Sequence, residues 1–97
     1  MSIYTTLWTF TDEGVKAMKD IPDISQRVSR VCTENGGTLR DMFLCLGEYD
    51  AIALIETPDD SALYRIMTEI TSWGYAHTQT IKCLPVTEYA AALRKAA

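Results

Sequence analysis

The chain has 97 residues, of which 47% are apolar and 23% charged, and it carries a net charge of −4 at neutral pH. That length suits one domain spanning residues 1–97, with a modest core that self-association would help to stabilise, and the composition is too apolar for a disordered chain. Nine scattered basic residues in an acidic chain argue against nucleic acid or an anionic membrane as the main partner, because both require clustered positive charge.

No apolar run approaches the roughly eighteen residues of a membrane span. The opening MSIYTTLW has neither the basic nor the apolar region of a signal peptide and reads as a strand. Cys32, Cys45 and Cys83 are odd in number and widely spaced, with no C-x-x-C pair. They read as small hydrophobes in a reducing cytoplasm, not as a disulfide or a zinc site.

From Ser2 to Phe10, SIYTTLWTF is β-branched and aromatic throughout, which predicts a first strand with Tyr4, Trp8 and Phe10 on one side. Thr11-Asp12-Glu13 supplies a helix cap followed by acids that favour the positive end of the helix dipole. Pro22 interrupts this helix, so the pattern predicts a short helix, a break, and a main helix from about Pro22 with Asp20 or Ile21 at its cap. Ile24, Val28, Val31 and Cys32 form its apolar stripe, and Asn35-Gly36-Gly37 ends it.

Thr38 to Thr57, TLRDMFLCLGEYDAIALIET, reads as a β-hairpin. Gly47-Glu48 as the two central residues would suit a type II′ turn, pairing Leu46 with Tyr49, Leu44 with Ala51 and Met42 with Ala53. One face would then carry Met42, Leu44, Leu46, Tyr49, Ala51, Ala53 and Ile55. The other would carry Phe43, Cys45, Ile52 and Leu54, ringed by Asp41, Asp50 and Glu56. A sheet with one wet face alternates cleanly between apolar and polar residues, and this hairpin does not. Helices are expected over one side and, most simply, a second copy of the chain over the other.

Beyond the hairpin, Thr57 is expected as a helix cap, Pro58 as the first helical residue and Asp60 as its capping-box partner. Leu63, Ile66, Met67 and Ile70 make the buried stripe of this second main helix, which Gly74 ends. Tyr75 to Leu84 alternates as a fourth strand, and VTEYAAALRKAA is a terminal helix with Thr87 as a plausible cap. The order β-α-β-β-α-β plus a tail helix is that of the α+β ferredoxin-like fold, a four-stranded antiparallel sheet with helices on one face. Pairing through the bare faces would give a dimeric α/β barrel.

Gly47-x-Tyr49-Asp50 follows one strand and opens another that ends in Glu56-Thr57-Pro58-Asp59-Asp60. In this setting it resembles the signature of the GYD family. The likeness extends to Trp8-Thr9-Phe10-Thr11-Asp12-Glu13-Gly14 and to Thr80-Ile81-Lys82, and so covers nearly the whole chain. The resemblance implies a small bacterial or archaeal protein of ferredoxin-like, dimeric α/β-barrel type, and brings no activity with it. His77 stands where relatives are often basic, and Cys45 and Cys83 also depart from the family picture, so no site is carried over at those positions.

Four residues are candidates for ligand binding. Asp50, beside Phe43 and Ile52, would have its pKa raised by desolvation unless hydrogen-bonded, which makes it the best acid/base candidate, although Asp habitually accepts N–H bonds within its own turn. Tyr49 would offer a hydroxyl at the barrel mouth, or simply pack with its hydroxyl at the rim. His77, the one histidine, has an unperturbed pKa near neutrality, yet a single His on an alternating strand is more often a surface or core residue. Trp8 would line an apolar pocket or belong to an aromatic core. No phosphate loop, metal-ligand spacing or nucleophile triad accompanies them, so neither metal nor cofactor is expected.

These features predict an oligomeric binding or regulatory protein with a small apolar ligand or protein partner at the barrel cleft. The alternative is an enzyme similar to the cofactor-independent monooxygenases or isomerases that use dimeric α/β barrels, which rests on fold analogy. A purely structural assembly protein would have no pocket large enough for a ligand.

Overall fold

The computed structural model describes residues 1–96. Its elements are β1 (Ser2–Phe10), α1 (Asp12–Lys16), a turn of 3-10 helix (Met18–Asp20), α2 (Ile21–Glu34), β2 (Thr38–Leu44), β3 (Ala51–Thr57), α3 (Asp60–Ser72), β4 (Ala76–Cys83) and α4 (Val86–Ala96). The strands form one sheet in the order β2-β3-β1-β4, with every neighbouring pair antiparallel. This is the ferredoxin-like fold, as the element order predicts.

Alternation along the strands decides where the core lies. Tyr4, Thr6 and Trp8 of β1 and Ala51, Ala53 and Ile55 of β3 are all buried, on the side where α2 and α3 pack. Against them α2 places Ile24, Val28, Val31 and Cys32, and α3 places Leu63, Ile66, Met67 and Ile70. Trp8 sits directly opposite Ala51 in the ladder, so the small side chain leaves room for the large one. Its indole Nε1 donates to Thr6 Oγ1 at 2.9 Å, and Thr6 donates in turn to the Ala53 carbonyl at 3.0 Å. Both buried polar groups are thereby satisfied. Burial pushes the Cys32 thiol up to about 11, consistent with a structural cysteine.

The helix ends follow local chemistry. Thr11 accepts from Gly14 N at 3.1 Å to cap α1, and Gly36, at φ +77°, supplies the left-handed residue that terminates α2. Pro22 lies in the first turn of α2, where its missing N–H costs nothing.

Three expectations need correction. The hairpin keeps the expected pairings Leu44 with Ala51 and Met42 with Ala53, but its connection runs through residues 45–50, closed by Cys45 N donating to Asp50 O at 2.9 Å. Gly47, at φ +138°, lies far from the first position of a type II′ turn, and Leu46 is fully exposed at the tip. The α3 cap is Asp59, whose Oδ1 accepts from Ala62 N at 2.8 Å. Thr57 is held in the sheet opposite Ser2 and donates instead to Asp59 O at 2.7 Å. Finally, α4 begins at Val86, which puts Thr87 inside the helix.

Candidate functional site

The sheet face away from α2 and α3 is read directly from the register. One row across it is Phe43, Ile52, Leu7 and Gln79; the next is Asp41, Leu54, Thr5 and Ile81. Ile3 and Cys83 continue towards one end, Thr9 and His77 towards the other. The apolar middle of this face is only partly covered by its own neighbours. Phe43 and Ile81 are 48% and 46% exposed, and Ile3, Leu7, Ile52 and Leu54 are half-buried.

The loop over residues 45–50 frames one end of the face. Because Cys45 to Asp50 leaves the ladder, Tyr49 escapes the strand alternation that would have placed it on the helix side with Ala51. Its hydroxyl donates to Gln79 Oε1 at 3.2 Å, carrying the side chain over the open face from the hairpin loop to the far edge strand. His77, two residues before Gln79 on β4, shares that face about 6.6 Å along the strand. The structure therefore brings Tyr49 and His77 to one end of the open face, with Gln79 between them.

Asp50 has a different task. Its Oδ2 accepts the Phe10 N–H at 2.8 Å, and its own N–H donates to the Trp8 carbonyl at 2.8 Å. The residue thus extends the β1–β3 ladder past Ala51 with one backbone and one side-chain bond. The carboxylate serves a neighbouring strand, neither its own turn nor an open pocket. Trp8 is 2% exposed and lies in the core on the opposite side of the sheet, so the four candidates do not converge on a single site.

A second polar cluster went unnoticed in the sequence. Tyr4 OH donates to Asp60 Oδ1, and Lys82 Nζ reaches the same oxygen at 2.8 Å. The Lys82 bond first, and the Tyr4 bond second, hold the Asp60 carboxyl below the usual aspartate range, while Asp60 holds the Lys82 ammonium above its ordinary value. Tyr4 faces Lys82 in the β1–β4 register, but no sequence pattern announces a pairing between strands at opposite ends of the chain. Asp60 also lines one end of a groove of about 480 Å³ between α3 and β4, together with Leu63, Tyr64 and Met67 and with Thr68, Thr71, Thr78 and Thr80. Gln79 was also missed, since a lone Gln on an alternating strand carries no signal of its own.

Among the described residues, no group of three or more His, Cys, Asp or Glu is placed to hold a metal ion. No described helix is long and apolar enough to cross a membrane.

The model of the GYD domain matches residues 4–93. The chain belongs to the GYD family. In this GYD chain the eponymous residues divide their labour: Gly47 turns the loop, Tyr49 lies over the open face, and Asp50 clamps the end of β1. No curated protein matches the chain. Among solved structures it is similar to FFRP-DM1, at 19% identity and a TM-score of 0.63, over 87% of this chain and 100% of that one. It is also similar to MtbAldR, at 13% identity and a TM-score of 0.66, over 87% of this chain but 52% of that one. A third is TTHA0845 from Thermus thermophilus, at 18% identity and a TM-score of 0.57, over 88% and 95% of the two chains. At these identities the likeness concerns the fold.

Proposed function

We propose that this GYD protein is a self-associating binding or regulatory module whose open sheet faces pair. The resulting cleft, with Tyr49, Gln79 and His77 at its rim, takes a small apolar ligand or a protein partner. The observation that carries this reading is the open face itself: a continuous apolar field on the side of the sheet that α2 and α3 leave free. Phe43 and Ile81 are each about half exposed, so covering one contributes on the order of 1 kcal/mol. Two-fold pairing counts every such contribution twice.

The commitment of Asp50 to the Phe10 N–H supports binding over catalysis, because it removes the carboxylate that an enzyme reading would use as acid or base. Sedimentation of the full chain at micromolar concentration tests the assembly. The wild type is expected as a dimer or larger, and a Leu7→Asp variant with unchanged circular dichroism as a smaller species. A monomeric wild type would overturn the proposal. For the ligand, native mass spectrometry of the assembly should reveal a bound small molecule or partner that is lost in a Tyr49→Phe, His77→Ala variant.

A further inference from the structure

We propose that α4 is an arm that docks on a second copy of this chain, in the groove between that copy's α3 and β4. The inference rests on the reading that the chain self-associates, but it uses a surface separate from the open face.

An eleven-residue helix standing alone is marginal in water, and none of the residues of α4 is buried. Its apolar positions Val86, Tyr89, Ala90 and Leu93 fall at i, i+3, i+4 and i+7, the spacing with which helices anchor in grooves. Val86, Tyr89 and Leu93 are 82%, 53% and 54% exposed. The connection from β4 is only Leu84-Pro85, and proline holds the residue before it extended. The helix therefore runs on past the sheet. The molecule's long axis is 54 Å, matched by a strand of about 30 Å, a helix of about 16 Å and the link between them. The radius of gyration of 14.8 Å exceeds the ~12.5 Å of a compact chain this long.

The groove fits such an arm. It runs beside α3 from Asp60 to Thr71, a helical span of about 17 Å, against about 16 Å for α4. Of its lining, Leu63 and Met67 repeat at i and i+4. Charge points to a copy of the same chain. Of nine basic and thirteen acidic residues, α4 holds Arg94 and Lys95 against Glu88. That leaves seven basic and twelve acidic residues in the body, so an arm of +1 meets a body of −5. With α4 parallel to the partner's α3, Glu88 lies towards the Lys82 end. Arg94 and Lys95 then meet the C-terminal end of α3, whose last turn carries no basic residue. Cations are favoured at that negative end of the helix dipole.

The test uses full-length chains in which Cys45 and Cys83 are replaced by Ser and the buried Cys32 is kept. One chain carries Leu93→Cys and the other, with a size tag, carries Thr68→Cys. Treating the mixture with a short bismaleimide should give a covalent heterodimer on a denaturing gel, and Leu93→Asp should weaken association at least tenfold. Absence of the heterodimer while sedimentation still shows an assembly overturns the arm and leaves open-face pairing standing. So does a cross-link formed within one chain carrying both substitutions. A monomeric wild type overturns both.

Discussion

Replacing Asp50 with Ala removes the acceptor for the Phe10 N–H at 2.8 Å while leaving the backbone bonds of residue 50 to Trp8 and Cys45 available. Hydrogen bonds to charged groups are worth about 1.5–3 kcal/mol. Phe10 and Asp50 are both half-buried, so water partly replaces the lost acceptor, and a cost of about 1.5–2 kcal/mol is expected. For a domain of this size that corresponds to a fall in Tm of roughly 6–16 °C. Asn at the same position keeps an oxygen acceptor and loses only the charge, so Asp50→Asn should cost about half as much. Urea denaturation followed by circular dichroism measures both, at one fixed protein concentration because association shifts apparent stability. If Asp50→Ala unfolds within ~0.3 kcal/mol of the wild type, the clamp contributes nothing and the residue must be explained by ligand binding. If Asn proves as damaging as Ala, the charge rather than the bond to Phe10 is what matters.

The Asp60–Lys82 pair predicts a pH dependence with a definite sign. The Asp60 value is depressed in the folded chain, so its contribution is present above the ordinary aspartate pKa of about 3.9 and is lost as pH falls through the lower folded value. The Lys82 value is raised, so its contribution is present below about 10.4 and is lost as pH rises through the higher folded value. Asp60→Asn keeps an acceptor for the Tyr4 hydroxyl, and its Tm should lie below that of the wild type from about pH 5 to pH 10, with the gap closing below about pH 4. A gap independent of pH would show that the ion pair is not its source. Gly14 offers a steric test, since a Cβ there would meet the Tyr75 carbonyl oxygen at 2.0 Å. Gly14→Ala should destabilise by about 1–3 kcal/mol through displacement of the α1 start from the β4 entry, read as a shift in urea midpoint at unchanged m-value; an unaltered midpoint would refute the contact.

Local composition and periodicity determined much of the fold: a run of β-branched and aromatic residues marks the strand Ser2–Phe10, helical spacing gives the stripe Ile24, Val28, Val31 and Cys32, and the pattern along the hairpin marks it as apolar on both sides. The pairing of Leu44 with Ala51 is expected from a two-residue turn that the structure does not contain, and it holds because the six-residue connection has the same parity. Only the tertiary structure decided what the loop residues do. Six residues outside a ladder obey no alternation, so Tyr49 crosses to the open face and Asp50 reaches across to Phe10. The same limit hid Tyr4, Asp60 and Lys82, which meet because a register and a helix entry coincide in space. Partners separated by dozens of residues leave no periodic trace along the chain, and a bond between them exists only once the sheet has brought their strands together.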